Sequence, residues 1–171
     1  MTDYLRTLFL HPPAVAGFDG GAGSRYQARR EIRSFWYPTW LAQPAALVPG
    51  SRLVDAPPDG LTLDDVLPLA RGYDLCVMHT STPSFASDVR VAEALKAENP
   101  DLIVGMVGAA VAVAPDASLR ASRALAFVAR SEFDFTIQEV AQGRRAAGGR
   151  GVSYRAERHG GHTPQRPTLE N

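Results

Sequence analysis

Short apolar runs alternate along this chain with stretches whose apolar positions recur at helical spacing. The first run is Arg6-Thr7-Leu8-Phe9-Leu10, halted by His11-Pro12-Pro13, because proline cannot donate to a ladder. Residues 51–55 follow a Pro49-Gly50 turn and stop at Ala56-Pro57-Pro58. Residues 74–79 follow Gly72, residues 102–107 follow Asn99-Pro100-Asp101, and residues 124–130 give a fifth, weaker run. These runs are nearly all apolar and do not alternate. Strands covered on both faces read this way, so the pattern predicts a parallel sheet.

Helical signals fill the gaps. Residues 39–48 carry Trp40, Leu41, Ala45 and Leu47 around an awkward Pro44. Thr62 is an N-cap candidate for residues 62–67, with Asp64 and Asp65 in the first turn. Ser87-Asp88 opens a stretch with Val89, Ala92 and Leu95 on one face, stopped by Asn99-Pro100. Pro115-Asp116 opens another through Ala124, and residues 136–142 form a last short helix with Gly143 as C-cap. Alternating strands and helices over this length predict a doubly wound α/β fold. Residues 11–36 form a long connection, and long connections tend to be functional or disordered. Beyond Gly143 only Gly151-Val152-Ser153-Tyr154-Arg155 is strand-like, so the tail reads as a hairpin and linker.

Composition narrows the classes. A chain of 171 residues, 45% hydrophobic and 21% charged, suits one folded domain with a short appendage. Eighteen basic residues balance eighteen acidic ones, so no net field draws the chain to nucleic acid. The single cysteine, Cys76, excludes a disulfide framework or a Cys-rich metal site built by this chain alone. No apolar run reaches the roughly 18 residues of a membrane span. The start Met1-Thr2-Asp3-Tyr4 has no cationic, apolar leader. A cytoplasmic protein is the expectation.

In an open parallel sheet, ligands bind beyond the carboxyl ends of the strands. Pro12 and Pro13 follow the first strand, and Thr80-Ser81-Thr82-Pro83-Ser84-Phe85 follows the third. The fourth carries Gly105 and Val107 and leads to Gly108-Ala109-Ala110; Ser131-Glu132 follows the fifth. Small residues let a flat ligand approach the backbone, and hydroxyls can bond its polar groups. Tight turns and helix caps would use the same residues, and spacing alone does not separate the two readings. Other chemistry finds less support. Gly20-Gly21-Ala22-Gly23 fails the dinucleotide fingerprint, because Tyr26 holds the third glycine position. A receiver domain would need an Asp at the end of the third strand, whereas Asp74 lies at its start. Asp55 reads as a turn cap, and His79 as a structural strand-end histidine that is not assigned to a metal. Arg25, Arg29, Arg30 and Arg33 form a basic stripe, read either as a solvated face or as a docking surface.

Several segments together resemble the cobalamin-binding domain of class B radical SAM enzymes. Leu8-Phe9-Leu10-His11-Pro12-Pro13 is similar to their strand and "NPP" opening, and residues 80–85 to their "STPSF" loop. Val104-Gly105-Met106-Val107-Gly108-Ala109 resembles "VGGPH", with Ala110 in place of the histidine. Arg130-Ser131-Glu132 falls at "RGE", with Ser131 in place of the glycine. Gly151-Val152-Ser153-Tyr154-Arg155 and Pro164-Gln165-Arg166-Pro167 resemble the "GLSYR…PRP" bridge to the radical SAM barrel. The loop from Gly17 to Pro38 is similar to the hopanoid-biosynthesis-associated radical SAM protein.

The resemblance implies a flavodoxin-like doubly wound sheet of five parallel strands in order 2-1-3-4-5, spanning residues 1–143, with a hairpin and linker tail at 144–171. It implies a base-off cobalamin pocket lined by the strand-end residues named above, in a hopanoid lipid pathway. The D-x-H-x-x-G pattern that ligates cobalt is absent. The iron–sulfur cluster and S-adenosylmethionine would belong to a barrel absent from this chain, so no catalytic residue is assigned. Expected partners are cobalamin and either that barrel or a hopanoid-pathway protein. A fragment, a broken gene product and a standalone module all stay open, as does a remnant or docking module that binds no cofactor.

Overall fold

The computed structural model describes residues 4–13, 15, 37–155 and 160–167. The glycine run, the arginine stripe and most of the loop beginning at Gly17 lie outside the described residues. The strands are β1 (Thr7–His11), β2 (Arg52–Asp55), β3 (Leu75–His79), β4 (Ile103–Val107), β5 (Leu125–Ala129), β6 (Val152–Arg155) and β7 (Gly160–His162). The helices are α1 (Thr39–Ala46), α2 (Ala56–Asp59), α3 (Leu63–Val66), α4 (Phe85–Glu98), α5 (Ala109–Val113), α6 (Pro115–Ala121) and α7 (Asp134–Ala141). They pack into one sheet of order β2-β1-β3-β4-β5-β6-β7, with β1 to β5 mutually parallel.

The five parallel strands and their order agree with the sequence reading, but the sheet has seven strands, not five. The hairpin adds its two strands to the sheet. Strand β6 pairs antiparallel with β5, opposing Val152 to Ala129 and Tyr154 to Phe127, and β7 pairs antiparallel with β6. Without it β5 would leave an open row of N–H and C=O groups at the edge. Pairing also buries Val152 and Ser153 completely.

Period-two alternation sends strand side chains to two apolar layers. Leu8, Leu10, Cys76, Met78, Val104 and Met106 share one, with Val91, Ala92 and Leu95 of α4. Phe9, Leu75, Val77 and Phe127 share the other, with Leu41 of α1 and Ile137 of α7. Burial of this size contributes about 25 cal/mol per Å² of apolar surface. Among the described residues, no helix is long and apolar enough to cross a membrane.

Local chemistry sets the boundaries. Thr62 donates to Asp65 Oδ2 through its backbone N–H at 2.8 Å and its hydroxyl at 2.6 Å, opening α3. Gly143 takes φ +76° and returns its N–H to Val140 O, closing the chain after α7. Helix α2 begins within Ala56-Pro57-Pro58, where prolines occupy the first turn and lose no helical hydrogen bond.

Candidate functional site

The order β2-β1-β3 places the topological switch between β1 and β3, and a buried polar cluster sits at their carboxyl ends. His11 pairs with Asp55 across β1 and β2 in parallel register, so their side chains share a face. His11 Nδ1 lies 2.6 Å from Asp55 Oδ1, with the ring almost fully enclosed. His79 ends β3 beside it, its ring 6.2 Å from that of His11 in an edge-on contact. Trp40 of α1 stacks on the His79 ring at 5.3 Å. Pro12 and Pro13 follow β1 directly and are both buried.

The next loop is built by its own hydroxyls. Thr80 is buried, and its backbone N–H donates to Val107 O at 2.9 Å, tying the end of β3 to that of β4. Ser81 N–H donates to Ser84 Oγ at 3.0 Å, and Phe85 N–H returns to Ser81 O at 2.9 Å. Ser84 is buried and its hydroxyl donates to Asp88 Oδ2 at 2.7 Å, one turn along α4. Thr82 and Pro83 form the exposed tip.

Asp88 is the charged anchor of this loop, 5% exposed. Burial pushes its carboxyl up to about 6, against the opposing pull of the Ser84 and Thr80 hydroxyls and of nearby His11.

Two backbone conformations shape the rest of the edge. Gly108 follows β4 with φ +120°, and a Cβ there would stand 2.2 Å from the Thr80 carbonyl oxygen. No other residue fits that approach. Val107 before it is buried and Ala109 after it is exposed, so the chain surfaces at this point. After β5, Ser131 takes φ +55°, the only described non-glycine residue with positive φ. Glycine would sit there without strain. Ser131 and Glu132 are exposed, and Gln165 Nε2 donates to Ser131 Oγ at 2.6 Å.

The structure therefore gathers Pro12, Pro13, residues 80–84, Val107, Gly108, Ala109, Ser131 and Glu132 along the carboxyl edge. Gly105 lies apart, inside β4, where a Cβ would come within 2.1 Å of the Phe127 ring. Its lack of a side chain serves core packing. Sequence reasoning missed Asp88 as a site residue, although its Ser84-x-x-x-Asp88 spacing is a one-turn hydrogen-bonding interval. It also missed the His11–Asp55 pair, which only the parallel register reveals.

Chemically, the edge offers hydroxyls, backbone left bare by small residues and buried carboxylates. That donor set suits a large, flat ligand carrying amide groups. Among the described residues, no group of three or more His, Cys, Asp or Glu side chains is gathered to hold a metal. Cys76 is buried mid-sheet, its thiol pushed up to about 12 by desolvation, which keeps it protonated and a poor ligand.

No protein-family model matches this chain, and no curated protein matches it. Solved structures do. One is the radical S-adenosylmethionine methyltransferase TsrM from Kitasatospora setae with cobalamin and a [4Fe-4S] cluster bound, 14% identical at a TM-score of 0.64. That match covers 96% of this chain and 30% of the other. A second is TsrM from the same organism with its tryptophan substrate and the SAM analogue aza-SAM, 12% identical at a TM-score of 0.65, covering 92% and 30%. At these identities the likeness is one of fold. The chain spans about 30% of the length of these structures.

Proposed function

We propose that this chain is the cobalamin-binding module of a radical SAM enzyme of hopanoid lipid biosynthesis. The observation that carries the reading is the fold likeness over 96% of the chain to a structure holding cobalamin. The carboxyl edge supports it, because small residues and hydroxyls at the ends of β1, β3, β4 and β5 suit the corrin's amide-bearing rim. Ser131 adds support from a separate direction: it stands at the glycine of the resembling "RGE" segment and keeps a glycine-like φ of +55°. The hopanoid assignment rests on the sequence resemblance of the loop from Gly17 to Pro38.

In this reading Pro12, Pro13, Thr80, Ser81, Thr82, Pro83, Ser84, Gly105, Val107, Gly108, Ala109, Ser131 and Glu132 belong to the cofactor segments. Gly105 contributes indirectly, by letting Phe127 pack beneath the edge. Thr80 and the Ser81–Ser84 turn present hydroxyl and backbone groups, with Asp88 fixing the turn from below. Pro12 and Pro13 close the β1 side against water. Bound cobalamin would supply a cobalt centre for methyl or one-electron chemistry. The absence of a D-x-H-x-x-G pattern leaves this chain without the histidine that such domains offer to cobalt, and base-off binding would follow from that. An iron–sulfur cluster needs several thiolates and this chain has Cys76 alone, so cluster and S-adenosylmethionine are assigned to a separate barrel. The segment beyond residue 143 completes the sheet and leads toward that barrel.

The test is a visible-absorbance titration of the purified chain with hydroxocobalamin, followed by desalting. Retained colour with a base-off spectrum is the expected result. Complete loss of colour, from a chain shown by circular dichroism to be folded, would overturn the reading in favour of a docking module without cofactor.

A further inference from the structure

Topology brings one more segment to this edge. Strand β6 runs against β5 and β7 runs against β6, so β7 points the same way as the five parallel strands. The chain therefore leaves His162 at the carboxyl edge, beside the loop that follows β5.

Each residue from 163 to 166 is then bonded to its surroundings. Thr163 donates its N–H to Val152 O at 2.9 Å, and its Oγ1 accepts from Val152 N–H at 2.9 Å. The Thr163 carbonyl accepts from the Arg130 guanidinium. Pro164 O accepts from Gly151 N–H at 2.8 Å, and Gly151 O in turn accepts from Arg130 N–H at 2.7 Å. Gln165 Nε2 donates to Ser131 Oγ at 2.6 Å. Arg166 donates to Thr136 Oγ1 at 3.2 Å and pairs with Glu139 at 2.8 Å, both charged side chains being mostly enclosed.

Two features converge here. Ser131 holds φ +55°, a conformation that costs an L residue about 1–2 kcal/mol and that its surroundings must offset. The one described side-chain bond to its hydroxyl comes from Gln165. We infer that residues 163–166 form a strap that holds the Ser131 turn in its left-handed shape, with Gln165 as the positioning residue. Fixing the strap and filling the carboxyl edge are thereby coupled, each favouring the other. The ligand half of this inference rests on the cobalamin reading above; the strap half does not.

The test uses the full chain and the variants Gln165→Ala, Gln165→Glu, Ser131→Gly and the pair Gln165→Ala with Ser131→Gly. Hydrogen exchange is followed first without ligand. Gln165→Ala should speed exchange at the amides of residues 131–133, while Gln165→Glu, which can accept from the Ser131 hydroxyl, should not. Unchanged exchange in Gln165→Ala would overturn the strap whatever the chain binds. Release of hydroxocobalamin is then timed in a chase. Gln165→Ala should release it about three- to tenfold faster, the factor that one net hydrogen bond supplies. In a Ser131→Gly background, Gln165→Ala should change neither exchange nor release, because glycine takes the positive φ without strain and offers no hydroxyl to Gln165. A merely structural role for Gln165 would persist in that background. A wild type that retains cobalamin alongside a Gln165→Ala variant with the same release rate would refute the coupling. A wild type that retains none would refute the cobalamin reading and, with it, the coupling, while the exchange result still decides the strap.

Discussion

Asp88 lends itself to a quantitative test, because its titration and its hydrogen bonds oppose each other. Its carboxyl stands at about 6 in the fold, against an ordinary 3.8. A raised carboxyl binds its proton more tightly in the folded state than in the unfolded one. Its contribution to stability is thus greatest below the ordinary value and falls as pH rises through the folded one. The full difference of about two units corresponds to about 3 kcal/mol. Roughly half of that falls between pH 5 and pH 8 by the same linkage. The perturbation is Asp88→Asn, which keeps an oxygen to accept from Ser84 and removes the charge. The assay is urea unfolding of both proteins at pH 5 and pH 8, because the difference between them cancels every titrating group that does not interact with Asp88. His11 and Asp55, the ionisable neighbours named at this cluster, remain in both. The stability of Asp88→Asn relative to wild type should rise by about 1–2 kcal/mol from pH 5 to pH 8. A relative stability that is flat or falls with pH would refute the claim that burial dominates at Asp88.

The two close-packed glycines of the β4 region should separate core from edge. Gly108→Ala drives a Cβ toward the Thr80 carbonyl at 2.2 Å and requires φ +120° of alanine, so thermal melting should show a loss of about 2–4 kcal/mol or no folded protein at all. Gly105→Ala meets the Phe127 ring first, so its loss of about 1–3 kcal/mol should be largely recovered by Phe127→Leu. The recovered double variant should retain hydroxocobalamin as wild type does. Cys76, fully buried with its thiol at about 12, should resist a thiol-reactive dye in the native chain and react at once in urea.

Much of this molecule was legible in its residues, and the exceptions have physical causes. The runs that became β1 to β5 are apolar because both faces are covered, and that continuity announced a parallel sheet. Helix α5 was missed because Ala109-Ala110-Val111-Ala112-Val113 carries no polar face to give it a period. Helix α2 was missed because Pro57 and Pro58 mark a strand end and a helix first turn equally well. The joining of β6 to β5 depends on which edge a distant hairpin finds, and local pattern does not encode that. At the site, the strand-end loops could be named from position alone. Gly105 could not be told from the edge glycines, because the Phe127 ring that explains it lies on another strand. Asp88 read as a helix opener, since sequence shows its place in the first turn and not its burial.

What distinguishes this edge from the rest of the sheet is the polar chemistry it encloses. His11, Asp55, Thr80, Ser84 and Asp88 gather at one end of a sheet whose two layers are built of apolar side chains. An enclosed carboxylate destabilises the fold unless its bonds recover the loss, and at Asp88 burial still outweighs the Ser84 and Thr80 hydroxyls. A carboxylate buried at the topological switch breaks a rule of packing there, and such a break marks a place where another requirement acts. The same edge carries Ser131 in a conformation costing about 1–2 kcal/mol, its hydroxyl bonded to Gln165 in the segment after β7. Independent strains at one edge are the signature expected of loops held ready for a ligand, and a chain selected for stability alone would have relaxed them.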